Sequence, residues 1–162
     1  MASTTADEIY YTCQWTDGPV TVKSLAYTEL NCYGTYTMTF SDGSILTFVG
    51  EVYALGAYCN PVTFFKWNEV FPGYTQEASD SARSRIDAVA DDCAQITSFT
   101  LCHDTTTGDC DVCDTTLYIN TDSGDIPYFG FRSIHNGNYG NDMTISYTDA
   151  IGNVVYNKRI LL

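Results

Sequence analysis

Four cysteines and one histidine form the part of the chain with the clearest capacity for chemistry. Cys93, Cys102, Cys110 and Cys113 lie within a stretch of 21 residues, and His103 directly follows Cys102. Thiolates and imidazole nitrogens are the usual ligands of zinc, whereas paired thiols form disulfides in an oxidising compartment. The stretch therefore admits three interpretations: a zinc site, two disulfides, or small buried thiols without a reactive role.

A structural zinc site is the metal hypothesis that the spacing supports best. Two residues separate Cys110 from Cys113, so both sulfur atoms can face one ion. Cys102 and His103 would complete the ligand set. This second pair is irregular, because His103 directly follows Cys102. In structural zinc sites a few residues usually separate the two ligands of each pair.

A calcium site is the second metal hypothesis. Asp104, Asp109, Asp111 and Asp114 are predicted to share one loop, and hard cations prefer oxygen ligands. An EF-hand loop that began at Asp109 would need glycine where Asp114 stands. Any calcium site here would therefore be non-standard, and solvated turns are the simpler interpretation.

The chain contains none of the patterns typical of nucleophilic or cofactor-dependent catalysis. It has two histidines, His103 and His135, and it lacks a Gly-x-Ser-x-Gly elbow, a Walker loop and a Gly-x-Gly-x-x-Gly motif. We therefore expect a protein that is not an enzyme and needs no cofactor. A hydrolase that uses paired carboxylates is an alternative, because 20 acidic residues allow many pairings.

A polar loop offers candidates for partner binding. His135, Asn136, Asn138 and Tyr139 lie in a run that is rich in asparagine and glycine. On a rigid β scaffold, such residues combine flat aromatic contact with adaptable hydrogen bonds, which suits sugars or protein partners. We expect this loop to make the contacts if the protein binds a ligand.

The charge of the chain is strongly negative and unevenly distributed. Seven basic and 20 acidic residues give a formal net charge of −13. Residues 86–131 contain nine acids and no base, whereas residues 132–162 contain two acids and three bases. Binding to nucleic acid or to an anionic membrane is therefore not expected. The distribution permits head-to-tail contact between copies, although a solvated acidic face explains it as well.

Most of the chain has the pattern of short β-strands separated by turns. Between Tyr36 and Phe40 apolar residues alternate with threonines, and Ser41–Ser44 supplies a turn before a return strand at Ile45–Val49. Runs of β-branched and aromatic residues predict further strands, which bring the total to about ten. These are Ile9–Trp15, Val20–Tyr27, Val62–Trp67, Ile96–Cys102, Thr115–Asn120, Ile126–Phe131, Met143–Tyr147 and Val154–Ile160.

One segment has a helical period instead. Apolar residues recur at steps of three and four from Ala78 to Cys93, which predicts an amphipathic helix at about residues 76–92. Together with the strands, it predicts a mainly β fold, either an antiparallel β-sandwich or a barrel, with one helix. We expect a single domain over residues 9–162, preceded by a flexible N-terminal arm over residues 1–8.

The start of the chain has neither a basic region nor an apolar run, and no stretch is long and apolar enough to span a bilayer. We therefore expect synthesis in the cytoplasm without a signal peptide, and no membrane association. Seven cysteines leave at least one thiol unpaired within the chain, which favours mostly reduced cysteines.

These observations favour a non-enzymatic structural or assembly protein. A chain rich in Thr, Tyr, Asn, Gly and Asp and poor in Lys resembles many bacteriophage virion proteins in composition. We expect a multi-copy component, such as a capsid decoration, fibre or tail protein, that forms homo-oligomers or binds other structural subunits. The alternative is a secreted or surface-exposed binding module for carbohydrate or protein, stabilised by disulfides.

Overall fold

A computed structural model of the chain describes six ranges of residues, which are 3–51, 63–66, 95–107, 111–121, 124–135 and 142–161. These residues form ten β-strands. In chain order they are β1 (Ser3–Gln14), β2 (Val22–Leu30), β3 (Tyr33–Phe40), β4 (Ile45–Glu51), β5 (Thr63–Lys66), β6 (Ile96–Thr107), β7 (Asp111–Thr121), β8 (Gly124–His135), β9 (Asp142–Thr148) and β10 (Val154–Leu161). Each predicted strand corresponds to one of them.

The strands form two antiparallel sheets of five strands each. The first sheet has the order β1-β6-β7-β8-β5, and the second has the order β10-β9-β4-β3-β2. The prediction of a mainly β, antiparallel fold is confirmed, and of the two alternatives the structure is a β-sandwich rather than a closed barrel. The helix predicted at residues 76–92 lies outside the described residues. Within the described ranges there is no helix long and apolar enough to cross a bilayer.

Side-chain alternation builds the core from both sheets. In β3, Met38 and Phe40 are fully buried, whereas the alternating Thr37 and Thr39 are half-buried on the other face. Leu46 and Phe48 repeat this pattern in β4, and Met38 faces Leu46 across the ladder. The hairpin predicted from the alternation of threonine with apolar residues is therefore confirmed, together with its buried face.

Aromatic rings join the two sheets. The ring centroid of Phe99 in β6 lies 5.2 Å from that of Tyr147 in β9. Phe131 in β8 lies 6.0 Å from Phe48 in β4. Because each buried aromatic ring removes roughly 150–250 Å² of surface from water, these pairs contribute much of the attraction between the sheets.

Strand β1 begins earlier than the sequence predicts. Ser3, Thr4 and Thr5 pair with Thr107, Thr106 and Thr105 at the end of β6. Residues 1–8 were expected to be a flexible arm. In the structure the backbone from Ser3 to Glu8 belongs to β1 and pairs with β6. Threonine-rich segments have high β propensity, and the neighbouring edge of β6 supplies the hydrogen-bonding partner that the sequence alone does not show.

Candidate functional site

Two of the predicted zinc ligands are neighbours on β6 but point away from each other, as successive strand residues do. His103 lies on the core side, where its Nδ1 is 3.3 Å from the Oγ1 of the fully buried Thr115. Its ring stacks against Tyr10 with centroids 5.0 Å apart. Cys102 is half-buried on the other face. One ion could not be bound by both side chains without a local change of the strand.

A bulge in β1 brings Tyr10 to the imidazole. The register of β1 with β6 shifts between Ile9 and Tyr11, so Tyr10 is the extra residue. A β-bulge lets two consecutive side chains lean towards the same face. The ring of Tyr11 accordingly also lies on the inner side, 5.8 Å from that of Phe99. His103 is thus part of an aromatic packing arrangement.

The other predicted metal ligands lie at several positions along the strands or outside the described residues. Cys113 is in β7, where it pairs with Thr105 of β6, and Cys110 is not described. Asp104 and Asp114 pair with each other across β6 and β7 rather than sharing a loop. Asp111 pairs with His135, and Asp109 is not described. Among the described residues no group of three His, Cys, Asp or Glu could hold a metal ion. Zinc and calcium binding stay predictions.

The loop predicted to bind partners is described only at its first residue. His135 is the last residue of β8 and pairs with Asp111 of β7. Asn136, Asn138 and Tyr139 lie outside the described residues. Partner binding by this loop therefore also stays a prediction.

A cleft of about 570 Å³ opens at one end of the sandwich. The segment that follows β1, the turn between β3 and β4 and the turn between β9 and β10 form its walls. Backbone hydrogen bonds hold the first wall against β6, from Trp15 N to Thr97 O at 3.0 Å and between Val20 and Ile96 at 2.7 and 2.9 Å. No pattern in the sequence predicts this cleft, because segments far apart in the chain meet there.

Two carboxylates in the cleft wall are engaged in holding its turns. One oxygen of Asp42 accepts a hydrogen bond from the backbone N of Ser44 at 2.9 Å. One oxygen of Asp149 accepts from the backbone N of Ile151 at 3.1 Å and of Asn153 at 2.9 Å. Aspartate commonly stabilises turns in this way. These contacts account for both aspartates without assigning them a role in catalysis.

Two further ionisable groups of the cleft, Cys13 and Tyr147, are poorly suited to acid–base or nucleophilic chemistry. Burial raises the pKa of the Cys13 thiol, although a hydrogen bond with Tyr147 acts in the opposite direction. Burial is also the main cause that raises the pKa of the Tyr147 phenol. Both groups are therefore neutral at physiological pH, and the thiolate that a cysteine nucleophile needs is scarce.

Strand β2 carries exposed apolar side chains at one edge of the second sheet. It is an edge strand, and seven of its nine residues are exposed, with only Val22 and Leu25 half-buried. Leu30 exposes 76% of its residue surface area and Tyr27 exposes 40%. Tyr33, which faces Leu30 at the start of β3, exposes 51%. Within the described residues no strand pairs with the outer edge of β2.

The opposite edge of the same sheet is exposed but differently charged. Strand β10 exposes Val154 and Val155, and it also exposes Lys158 and Arg159. Two basic side chains and no acidic one disfavour pairing of β10 with a second copy of itself, whereas β2 contains one residue of each charge. We therefore regard the outer edge of β2, residues 22–30, as the candidate interaction site. Sequence reasoning predicted a strand here but not its position at the edge, which depends on the pairing of distant segments.

Comparison with protein-family models, curated protein sequences and solved structures gives no match to this chain.

Proposed function

We propose that this protein is a non-enzymatic structural subunit that acts by binding other subunits of a multi-copy assembly through the edge of β2. The observation that carries the proposal is the long exposed edge of β2 with Tyr27 and Leu30 on its surface, next to the exposed Tyr33 of β3. An unpaired strand edge presents a row of backbone donors and acceptors to any strand that approaches it. A second strand would satisfy these groups and cover the apolar side chains.

Burial of the exposed side chains supplies a driving force of useful size. A leucine or aromatic side chain that becomes fully buried contributes roughly 1.5–3 kcal/mol. Because 76% of the surface of Leu30 is exposed, burial of this residue in an interface would supply most of that contribution. A bacteriophage virion is the setting we propose, because the composition is typical of virion proteins and repeated copies of one subunit favour such edge contacts.

Two matched variants test the proposal. Leu30→Asp places a charge at the proposed contact, and Ile151→Asp places the same charge at an equally exposed residue of the turn between β9 and β10. We expect sedimentation velocity to show oligomers for the wild type and for Ile151→Asp, and monomers for Leu30→Asp. A wild type that stays monomeric at all concentrations, or two variants that dissociate equally, would contradict the proposal.

A binding module is a second candidate, and the cleft favours it. The half-buried Trp15 offers aromatic surface beside hydrogen-bonding groups in a space of about 570 Å³, which is the size of many small-ligand sites. The thiols of Cys13 and Cys32 are free, so the disulfides that this candidate predicted would have to involve other cysteines. Binding of a sugar to the purified protein, lost on substitution of the exposed Asp17 in the cleft wall, would support it.

A further inference from the structure

We infer that β2 pairs with β2 of a second copy in an antiparallel, two-fold symmetric arrangement centred on Ala26. This inference rests on the proposed function and names the partner of the same edge. The strand contains one basic and one acidic residue, Lys23 and Glu29, and both are exposed. Each lies three residues from Ala26, on opposite sides of it. The charges on this edge are therefore complementary to those of a second copy that runs antiparallel to it.

The register follows from the two-fold axis. In an antiparallel pair centred on Ala26, every residue faces the residue of the other copy that is equally far from the centre. Lys23 of each copy then lies opposite Glu29 of the other, which gives two opposite-charge pairs. In the same register Leu25 lies opposite Tyr27, and the half-buried Val22 lies at the level of the exposed Leu30.

Local structure restricts the Glu29 carboxylate before this contact forms. The register of β2 with β3 shifts between Val22 and Ser24, so Lys23 lies at an irregularity and is not matched to a residue of β3. The hydroxyl of Tyr27 donates a hydrogen bond to Glu29 Oε1 at 2.7 Å, which restricts the carboxylate. Restricting a group before it binds reduces the entropy that association must remove.

The second edge of this sheet does not have this complementarity. Strand β10 contains Lys158 and Arg159 and no acidic residue. A second copy of β10 would therefore bring only like charges together, which disfavours pairing. Pairing through β2 instead joins the two copies of the sheet into one continuous antiparallel sheet and leaves both β10 edges at the outside.

Charge exchange tests the register. Lys23→Glu and Glu29→Lys each replace two attractive pairs per dimer by two repulsive ones, and the double variant restores attraction with the charges exchanged. We expect each single variant to weaken the dimer by about tenfold in sedimentation velocity, and the double variant to recover to within about twofold of the wild type. The differences should shrink at high salt. If the double variant instead loses as much dimer affinity as the two single variants together, the proposed register is wrong.

Cross-linking tests the centre of symmetry. The α-carbons of the two copies of Ala26 would lie about 4.5–5.5 Å apart, within reach of a disulfide, so Ala26→Cys should form a covalent dimer under mild oxidation. Thr28→Cys is the matched control, because its two copies would lie four residues apart, or about 13 Å along the strands. Peptide mapping separates the introduced thiol from the native cysteines.

The outcomes separate this inference from the proposed function. If the wild type assembles and Ala26→Cys does not form the cross-link, the two-fold pairing is wrong while a structural role is retained. If Thr28→Cys cross-links as well as Ala26→Cys, the register is wrong. If the wild type is monomeric at every concentration, both proposals fail. Circular dichroism of every variant should match the wild type, which shows that the fold is intact.

Discussion

The phenol rings of Tyr11 and Tyr156 stack with their centroids 4.3 Å apart and their planes inclined by 17°. This pair connects β1 with β10, which are the outermost strands of their sheets on the same side of the sandwich. The amino group of Lys158 lies 4.9 Å from the ring centroid of Tyr10 and adds a second connection. Side chains thus close a side of the sandwich where the two sheets share no backbone ladder.

Two substitutions separate the contributions of the Tyr156 ring and its hydroxyl group. The hydroxyl is buried and has no hydrogen-bond partner among the described residues, so Tyr156→Phe should leave the free energy of unfolding unchanged or raise it by up to about 1 kcal/mol. Tyr156→Ala removes the stacked ring and should lower that free energy by about 2–4 kcal/mol. Urea denaturation measures both. A large loss in Tyr156→Phe would reveal a hydrogen bond to this hydroxyl.

Removing the ring of Phe99 should affect stability more than any surface change. Phe99 is fully buried and packs against Trp15, Tyr147 and the parallel ring of Phe40, 6.1 Å away. Phe99→Ala should lower the free energy of unfolding by about 3–5 kcal/mol, because it leaves a cavity between the sheets. The exposed control Ile151→Ala should change it by less than about 0.5 kcal/mol. Similar losses for the two variants would contradict the described core.

Cys13 should react slowly with alkylating reagents. The thiol is half-buried and burial raises its pKa, so little thiolate forms near neutral pH. At about pH 8 we expect alkylation of Cys13 in the folded protein to be at least about tenfold slower than in the urea-unfolded chain. Mass spectrometry of the labelled peptides follows each cysteine separately. Equal rates in both states would show that the thiol is accessible.

Stability should decrease at alkaline pH. Burial raises the pKa of the Tyr11, Tyr147 and Tyr156 phenols above the ordinary value of 10.0, and it raises that of the Cys13 thiol above 9.0. Above these ordinary values the unfolded chain loses protons that the folded protein retains, so the free energy of unfolding falls as the pH rises. Below about pH 9 this contribution is fully present.

The Tyr147→Phe variant isolates part of this effect. Without the phenol, one of the groups that holds its proton more tightly in the folded state is absent, so the alkaline decrease in stability should be shallower. Urea denaturation between about pH 8 and 11 measures the slope for both proteins. Identical slopes would show that Tyr147 does not contribute to the alkaline transition.

Local patterns predicted the strands well. The alternation from Tyr36 to Phe40 follows the two-residue period of a strand, and the structure confirms the hairpin with Met38 and Leu46 facing each other. The turn at Ser41–Ser44 was also predictable, because it contains glycine at a position between two strands. In the structure Gly43 adopts a φ of 90°, which glycine tolerates best. Such features depend only on neighbouring residues.

The candidate site could not be predicted from those patterns. Whether β2 lies inside or at the edge of a sheet depends on its pairing with distant strands, and the residues from Val22 to Leu30 contain no signal for that position. Cys102 and His103 are adjacent in the sequence, but as consecutive strand residues they face opposite sides of the sheet. The cleft beside Trp15 likewise requires three segments that only the fold brings together.

Hydrogen exchange of β2 as a function of protein concentration tests the central claim most directly. The edge of β2 and the edge of β10 are both at the outside of the second sheet, so β10 serves as an internal control. If β2 is the subunit contact, backbone amides of residues 22–30 should become more protected as oligomers form, while those of residues 154–161 stay unchanged. Protection that appears at β10 instead, or no change at β2 as the mass increases, would contradict the account.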